Sequence, residues 1–115
     1  MLIIFGKKIS EKKKIRYALT TLYGIGINKA NFICNTLNIP VNLTINDLTE
    51  NQKTNISKYI KQNLKVETQL YKEVRSNIEK YTENQSLRGF RHRNKLPVRG
   101  QRTHTNAKSC RKFFI

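Results

Sequence analysis

Ile15-Arg16-Tyr17-Ala18-Leu19-Thr20-Thr21-Leu22-Tyr23-Gly24-Ile25-Gly26-Ile27-Asn28-Lys29-Ala30-Asn31-Phe32-Ile33-Cys34-Asn35-Thr36-Leu37 is the stretch that decides the fold. Its apolar residues follow the i, i+3, i+4, i+7 template twice, at Ile15, Ala18, Leu19 and Leu22 and again at Ala30, Ile33, Cys34 and Leu37. That period puts one face of each of two helices into a core. Between them Tyr23-Gly24-Ile25-Gly26 interrupts the pattern with glycines, which tolerate backbone angles that side chains resist. The reading is two helices joined by a tight turn. Asn28 has the chemistry to cap the second helix, and Pro40 bars that helix from continuing.

Outward from this pair, Thr49-Glu50-Asn51-Gln52 has the form of a capping box opening a third helix, with Ile56, Tyr59 and Ile60 on one side. A fourth helix is expected from Glu67 to Tyr81, with Leu70, Val74 and Ile78 four apart. These stripes read as core rather than as ligand-binding surfaces. The strand signal is thin, because the alternation Val41, Leu43, Ile45 is short and follows Pro40. The expected fold class is all-α.

Charge sets the partner. The 115 residues carry 23 Lys and Arg against 7 Asp and Glu, a net charge of +16 and a pI near 10.3, with 37% hydrophobic residues and no Trp. That apolar content supplies one modest core, and the excess charge repels itself unless a polyanion neutralises it. Nucleic acid fits best. A membrane surface would need one helix with a basic face and a bulky apolar face, whereas the apolar stripes here are needed for the core.

The acidic residues stop at Glu83, after which Lys and Arg accumulate to the end. That shift divides the chain into a helical body, residues 1–84, and a long basic extended C-terminal tail, residues 85–115. Gly89, Pro97 and Gly100 punctuate the tail, and its apolar residues keep no period, so alone it should be largely disordered.

No metal or cofactor is expected. The two cysteines, Cys34 and Cys110, lie far apart without paired ligands, and His92 and His104 add no recognised spacing. Nor is an enzyme, since no acid follows Glu83 to orient either imidazole or to hold a catalytic metal. The opening Met1-Leu2-Ile3-Ile4-Phe5 is too short for a signal-peptide core, and no apolar run could span a membrane.

Three stretches are candidates for phosphate contact. In the Tyr23-Gly24-Ile25-Gly26 turn with Lys29, glycines allow close backbone approach and a helix N-terminus favours an anion. The same glycines serve a bare interhelical turn, and Gly-x-Gly alone does not choose between the two. The cluster Lys12, Lys13, Lys14 and Arg16 suits diffuse phosphate contact. The longest candidate is Leu87-Arg88-Gly89-Phe90-Arg91-His92-Arg93-Asn94-Lys95-Leu96-Pro97-Val98-Arg99-Gly100-Gln101-Arg102-Thr103-His104-Thr105-Asn106-Ala107-Lys108, followed by Arg111 and Lys112. Arginines two or three apart suit a peptide threading between phosphates, where guanidinium grips two oxygens or stacks on an open base. Gln101, Thr103, Thr105 and Asn106 can bond to phosphates, 2′-hydroxyls or base edges.

This tail motif resembles the signature of the S-thirteen family of small-subunit ribosomal proteins: Arg91-His92-Arg93, then Leu96-Pro97-Val98-Arg99-Gly100-Gln101-Arg102-Thr103, then Thr105-Asn106-Ala107. Leu19-Thr20 leading to Tyr23-Gly24-Ile25-Gly26 is similar to the family's N-terminal hairpin, and Leu70, Glu73 and Ile78 to its long helix. The resemblance implies a small helical body of the helix–two-turns–helix type in the head of the small subunit. It implies binding to head ribosomal RNA, an intersubunit bridge to large-subunit elements, and a tail passing beside small-subunit protein S-nineteen towards the tRNA sites. No small-molecule substrate is implied. Asn94-Lys95 stands where bacterial members commonly have Arg-Gly, and Phe113-Phe114-Ile115 stands where many continue with Lys and Pro; such an apolar end suits a protein pocket. Arg102 to Ala107 with Cys110-Arg111-Lys112 looks closer to mitochondrial members. The abundance of Asn, Ile and Lys suits an AT-rich organelle genome, so an organelle-encoded mitochondrial protein is expected, with bacterial cytoplasm or plastid as alternatives. The competing reading is a non-ribosomal basic nucleic-acid-binding protein.

Overall fold

In the computed structural model, which describes residues 1–112, the chain forms two compact units, Met1–Leu70 and a second starting at Tyr71. The first opens with an antiparallel hairpin, β1 (Leu2–Ile4) and β2 (Lys7–Ile9), paired Leu2 to Ile9, Ile3 to Lys8 and Ile4 to Lys7. Phe5 and Gly6 make the two-residue turn with φ of 50° and 76°, the left-handed pair that matches strand twist. Leu2, Ile4 and Ile9 face the core. The all-α expectation holds coarsely: the chain is mostly helical, with a small two-stranded sheet added. Each strand is only three residues long, too short for alternation to show, and Phe-Gly is not a usual hairpin dipeptide.

Helix α1 (Ile15–Leu19) is shorter than its stripe suggests, and Leu22 is buried from the following turn. Helix α2 (Ile27–Thr36) begins after Gly26, which takes the N-cap position in an extended conformation. Asn28 thus lies inside the first turn and is not the cap. The helix closes with Asn38 at φ 53° and the Ile39 N–H donating to Cys34 O at 2.9 Å, before Pro40. The Val41–Ile45 alternation pairs as a single bridge, Lys14 to Thr44, with the Ile15 N–H donating to Leu43 O at 2.8 Å. The capping box of α3 (Glu50–Asn63) is present: Thr49 Oγ1 accepts from the Gln52 N–H, and Gln52 Oε1 accepts from the Thr49 N–H.

The buried core runs from Leu2 to Val66, with Leu37, Val41, Leu43, Tyr59 and Leu64 half-buried against it. Helix α4 (Thr68–Glu83) contains no buried residue. Its stripe of Leu70, Val74 and Ile78 is half-buried, which corrects the expectation that it joins the core. The stripe is one residue wide and is flanked by Lys72, Glu73, Arg75, Asn77, Glu79 and Lys80, whose hydration keeps its edges wet. Two short helices follow, α5 (Leu87–Arg93) and α6 (Lys108–Lys112), where an extended tail was expected.

Candidate nucleic-acid interface

Each candidate stretch is shaped by its own local chemistry. At the interhelical turn Gly24 has φ 102°, and a Cβ there would lie 2.7 Å from Leu70 Cδ2 and 3.2 Å from Lys65 O. Only glycine fits both the angle and the space. Gly26 then starts α2 as its N-cap, with no side-chain cap hydrogen bond among the described residues. Lys29 donates its Nζ to Gly24 O at 3.1 Å, so a cation, the carbonyl of the turn and a helix N-terminus share one exposed place.

Glu67 holds this turn from the inside. Among the described residues it is the one buried charged residue, 8% exposed, with φ 49°. Its N–H donates to Tyr23 O at 3.0 Å, while its Oε1 accepts the Tyr23 N–H at 2.8 Å and meets Lys7 Nζ at 2.9 Å. The Lys7 hydrogen bond first, then the Tyr23 N–H, hold its carboxyl below the usual glutamate range. Glu67 was not singled out as functional from the sequence. The signal available was a single acid between Lys65-Val66 and the fourth helix, which no spacing rule marks.

Lys12, Lys13 and Lys14 are exposed and lead into α1, with the Lys13 and Lys14 carbonyls used for pairing and for the first helical bonds. Arg16 is half-buried with its guanidinium 4.7 Å from the Tyr17 ring centroid, and its Nε has no hydrogen-bond partner among the described residues.

In the second unit the first part of the basic stretch is a built corner. The Ser86 hydroxyl donates to Tyr81 O at 2.9 Å and accepts the Gly89 N–H at 3.2 Å, capping α5. A Cβ on Gly89 would fall 2.1 Å from Tyr81 O, so glycine permits the close helix approach. Arg88 lies 5.2 Å from the Tyr81 ring centroid and donates to its hydroxyl. The helix ends with Lys95 at φ 56° and the Leu96 N–H donating to Arg91 O, and Arg91 Nε donates to Pro97 O. His92 is half-buried and Arg93 exposed.

Beyond it Gly100 turns at φ 73°, and Gln101 Oε1 accepts the Arg99 N–H at 3.2 Å. Arg111 donates to Thr103 O at 3.2 Å. Arg99, Arg102, Thr105, Asn106, Lys108 and Lys112 are exposed and Thr103 is half-buried. The structure therefore places Arg88, Gly89, Arg91, His92 and Arg93 on α5 with Lys95 just past its end, Lys108, Arg111 and Lys112 on α6, and the remaining candidates of this stretch along the turns that separate the two helices in sequence. Phe113-Phe114-Ile115 lies outside the described residues. Among the described residues no helix is long and apolar enough to cross a membrane, and no three His, Cys, Asp or Glu cluster as metal ligands.

The family model for ribosomal protein S13/S18 matches residues 3–109, taking in both units and every candidate stretch up to Lys108. The chain belongs to this family. Among its S13/S18 relatives, the small ribosomal subunit protein uS13 of Wolbachia from Brugia malayi is 45% identical over 106 residues, 92% of this chain and 87% of that protein. The uS13m proteins of Marchantia polymorpha and Daucus carota are 41% identical over 113 residues and 43% over 112. These cover 98% and 97% of this chain, and 94% and 97% of the relatives. As an S13/S18 protein the chain is a structural constituent of the small ribosomal subunit and not an enzyme. The reading as a non-ribosomal nucleic-acid binder is set aside on that match.

Proposed function

We propose that the chain anchors itself in the rRNA of the small-subunit head through two parts, a body of residues 1–84 and an rRNA-threading extension of residues 85–115. In the body, Lys12, Lys13, Lys14, Arg16 and the Tyr23–Lys29 turn face phosphates. In the extension, Arg88, Arg91, His92, Arg93, Lys95, Arg99, Gln101, Arg102, Thr103, Thr105, Asn106, Lys108, Arg111 and Lys112 make the denser set of contacts. The observation that carries this reading is the end of the apolar core at Val66, with the chain's most basic stretch lying after it. A cationic peptide without a core gains a fixed path when phosphates surround it. Protein S-nineteen, the large-subunit bridge elements and tRNA are the further neighbours.

The compartment is the mitochondrion. The tail sequence Arg102–Ala107 with Cys110-Arg111-Lys112 favours it, and two of the similar proteins are mitochondrial by name while the Wolbachia relative is bacterial.

Binding to a transcript of the head domain of the small-subunit rRNA, compared with random duplex DNA at physiological salt, tests the RNA reading. The expected result is preference for the transcript, with affinity falling steeply as salt rises; equal affinity for the duplex would overturn it. Mass spectrometry of purified mitochondrial ribosomes from the source organism tests the compartment, and absence of the chain there would remove it.

A further inference from the structure

We infer that Glu67 is a positioning residue for RNA binding: its buried carboxylate and its own backbone amide fix the Tyr23-Gly24-Ile25-Gly26 turn in the geometry that presents the start of α2 and Lys29 to phosphate. This rests on the proposed phosphate contact of that turn. Glu67 itself touches no RNA.

Three observations carry it. First, the tie is reciprocal: Tyr23 both donates to the Glu67 carboxylate and accepts from the Glu67 N–H, at 2.8 and 3.0 Å, across 44 residues of sequence. Two bonds to one residue fix the orientation of the peptide entering Gly24 as well as its distance. Second, Glu67 sits at φ 49°, a left-handed angle that non-glycine residues adopt at a cost, so its conformation is held by those bonds and not by local preference. Third, the Glu67 side chain is only 11% exposed in a chain of net charge +16, and its Oε1 is shared between Lys7 Nζ and the Tyr23 N–H. A buried charge that is both paired and hydrogen-bonded holds its partners tightly, because any displacement leaves it unsatisfied.

The electrostatic alternative predicts the opposite sign. An acid near a phosphate contact repels RNA, so removing it would tighten binding if charge alone mattered. Positioning predicts that removal weakens binding.

The test uses the full chain and a transcript of the small-subunit head rRNA, with folded content checked by circular dichroism. Glu67→Ala is expected to weaken binding roughly 3- to 10-fold, the range of one or two lost hydrogen bonds. Glu67→Gln keeps an acceptor for the Tyr23 N–H and should recover part of that loss. Lys29→Ala should weaken binding by a similar factor in the wild-type background and much less in the Glu67→Ala background, since both act through one turn. Arg102→Ala, far along the extension, should cost the same in both backgrounds; a merely destabilised body would not separate these two pairs. Full additivity of Glu67→Ala with Lys29→Ala, or tighter binding by Glu67→Ala, overturns the inference and leaves the phosphate contact standing. If Lys29→Ala has no effect in the wild-type chain, the phosphate reading of the turn falls, and the inference falls with it.

Discussion

Ile60 and Ile78 are the same side chain on consecutive long helices of the two units, and they are stabilised in different ways. Ile60 is completely buried and belongs to a core cluster that also takes in residues of the hairpin, α1, α2 and the loops, while Ile78 is half-buried on a helix that buries nothing fully. Up to Val66 the chain is organised by a shared apolar core. From Tyr71 on it is organised by caps and turns: the Ser86 hydroxyl between two backbones, the left-handed closure at Lys95, and the Gln101 side chain folded back on Arg99. Gly89 is the only buried residue described there, and it contributes space rather than apolar area. The lesson is a division of labour. One unit buries a core of apolar residues for its own stability, whereas the other leaves its described apolar residues half-buried or exposed and carries cations.

The sharpest way to break this contrast is a matched pair. Ile60→Ala should cost about 2–5 kcal/mol in chemical denaturation, the usual range for a fully buried isoleucine. Ile78→Ala should cost about 1 kcal/mol, because much of its surface is already wet. Equal costs would mean that the second unit has a core of its own. Next in size is truncation after Asn84. It should leave a folded helical body while weakening affinity for head rRNA on the order of a hundredfold at physiological salt, as expected when many phosphate contacts are lost together. The salt dependence of binding should flatten as well. Unchanged affinity would show that the body alone is the anchor.

How far the sequence was readable follows the same division. The α1–α2 pair, the capping box at Thr49 and the stop before Pro40 were legible because a helix in contact with a core must repeat every three to four residues. The hairpin at Leu2–Ile9 was not, since three-residue strands offer one alternation each. Helix α5 was hidden for a different reason. Nothing in Leu87–Arg93 is amphipathic, and the helix is specified by Ser86 and Gly89 acting on Tyr81, contacts that spacing rules do not encode. Within the candidate interface, Gly24 and Lys29 were visible from glycine placement and charge. Glu67 was not, because its partners Lys7 and Tyr23 lie far away in sequence and meet only in the folded chain.

The smallest expected effects come from the two caps, and they bear on whether local order in the second unit matters. Thr49 and Ser86 each accept a backbone N–H at a helix start, but α3 packs Ile56 and Ile60 into the core and α5 packs only Gly89. Thr49→Ala should lower global stability by about 1 kcal/mol, the ordinary cost of a lost N-cap. Ser86→Ala should leave the denaturation midpoint of the core nearly unchanged, because opening α5 releases no buried apolar side chain. Its effect belongs in amide hydrogen exchange, where Gly89 and Phe90 should lose protection while Ile56 and Ile60 keep theirs. If Ser86→Ala instead lowers protection across α3, the two units unfold as one and the division between a core-held first unit and a cap-held second unit is lost.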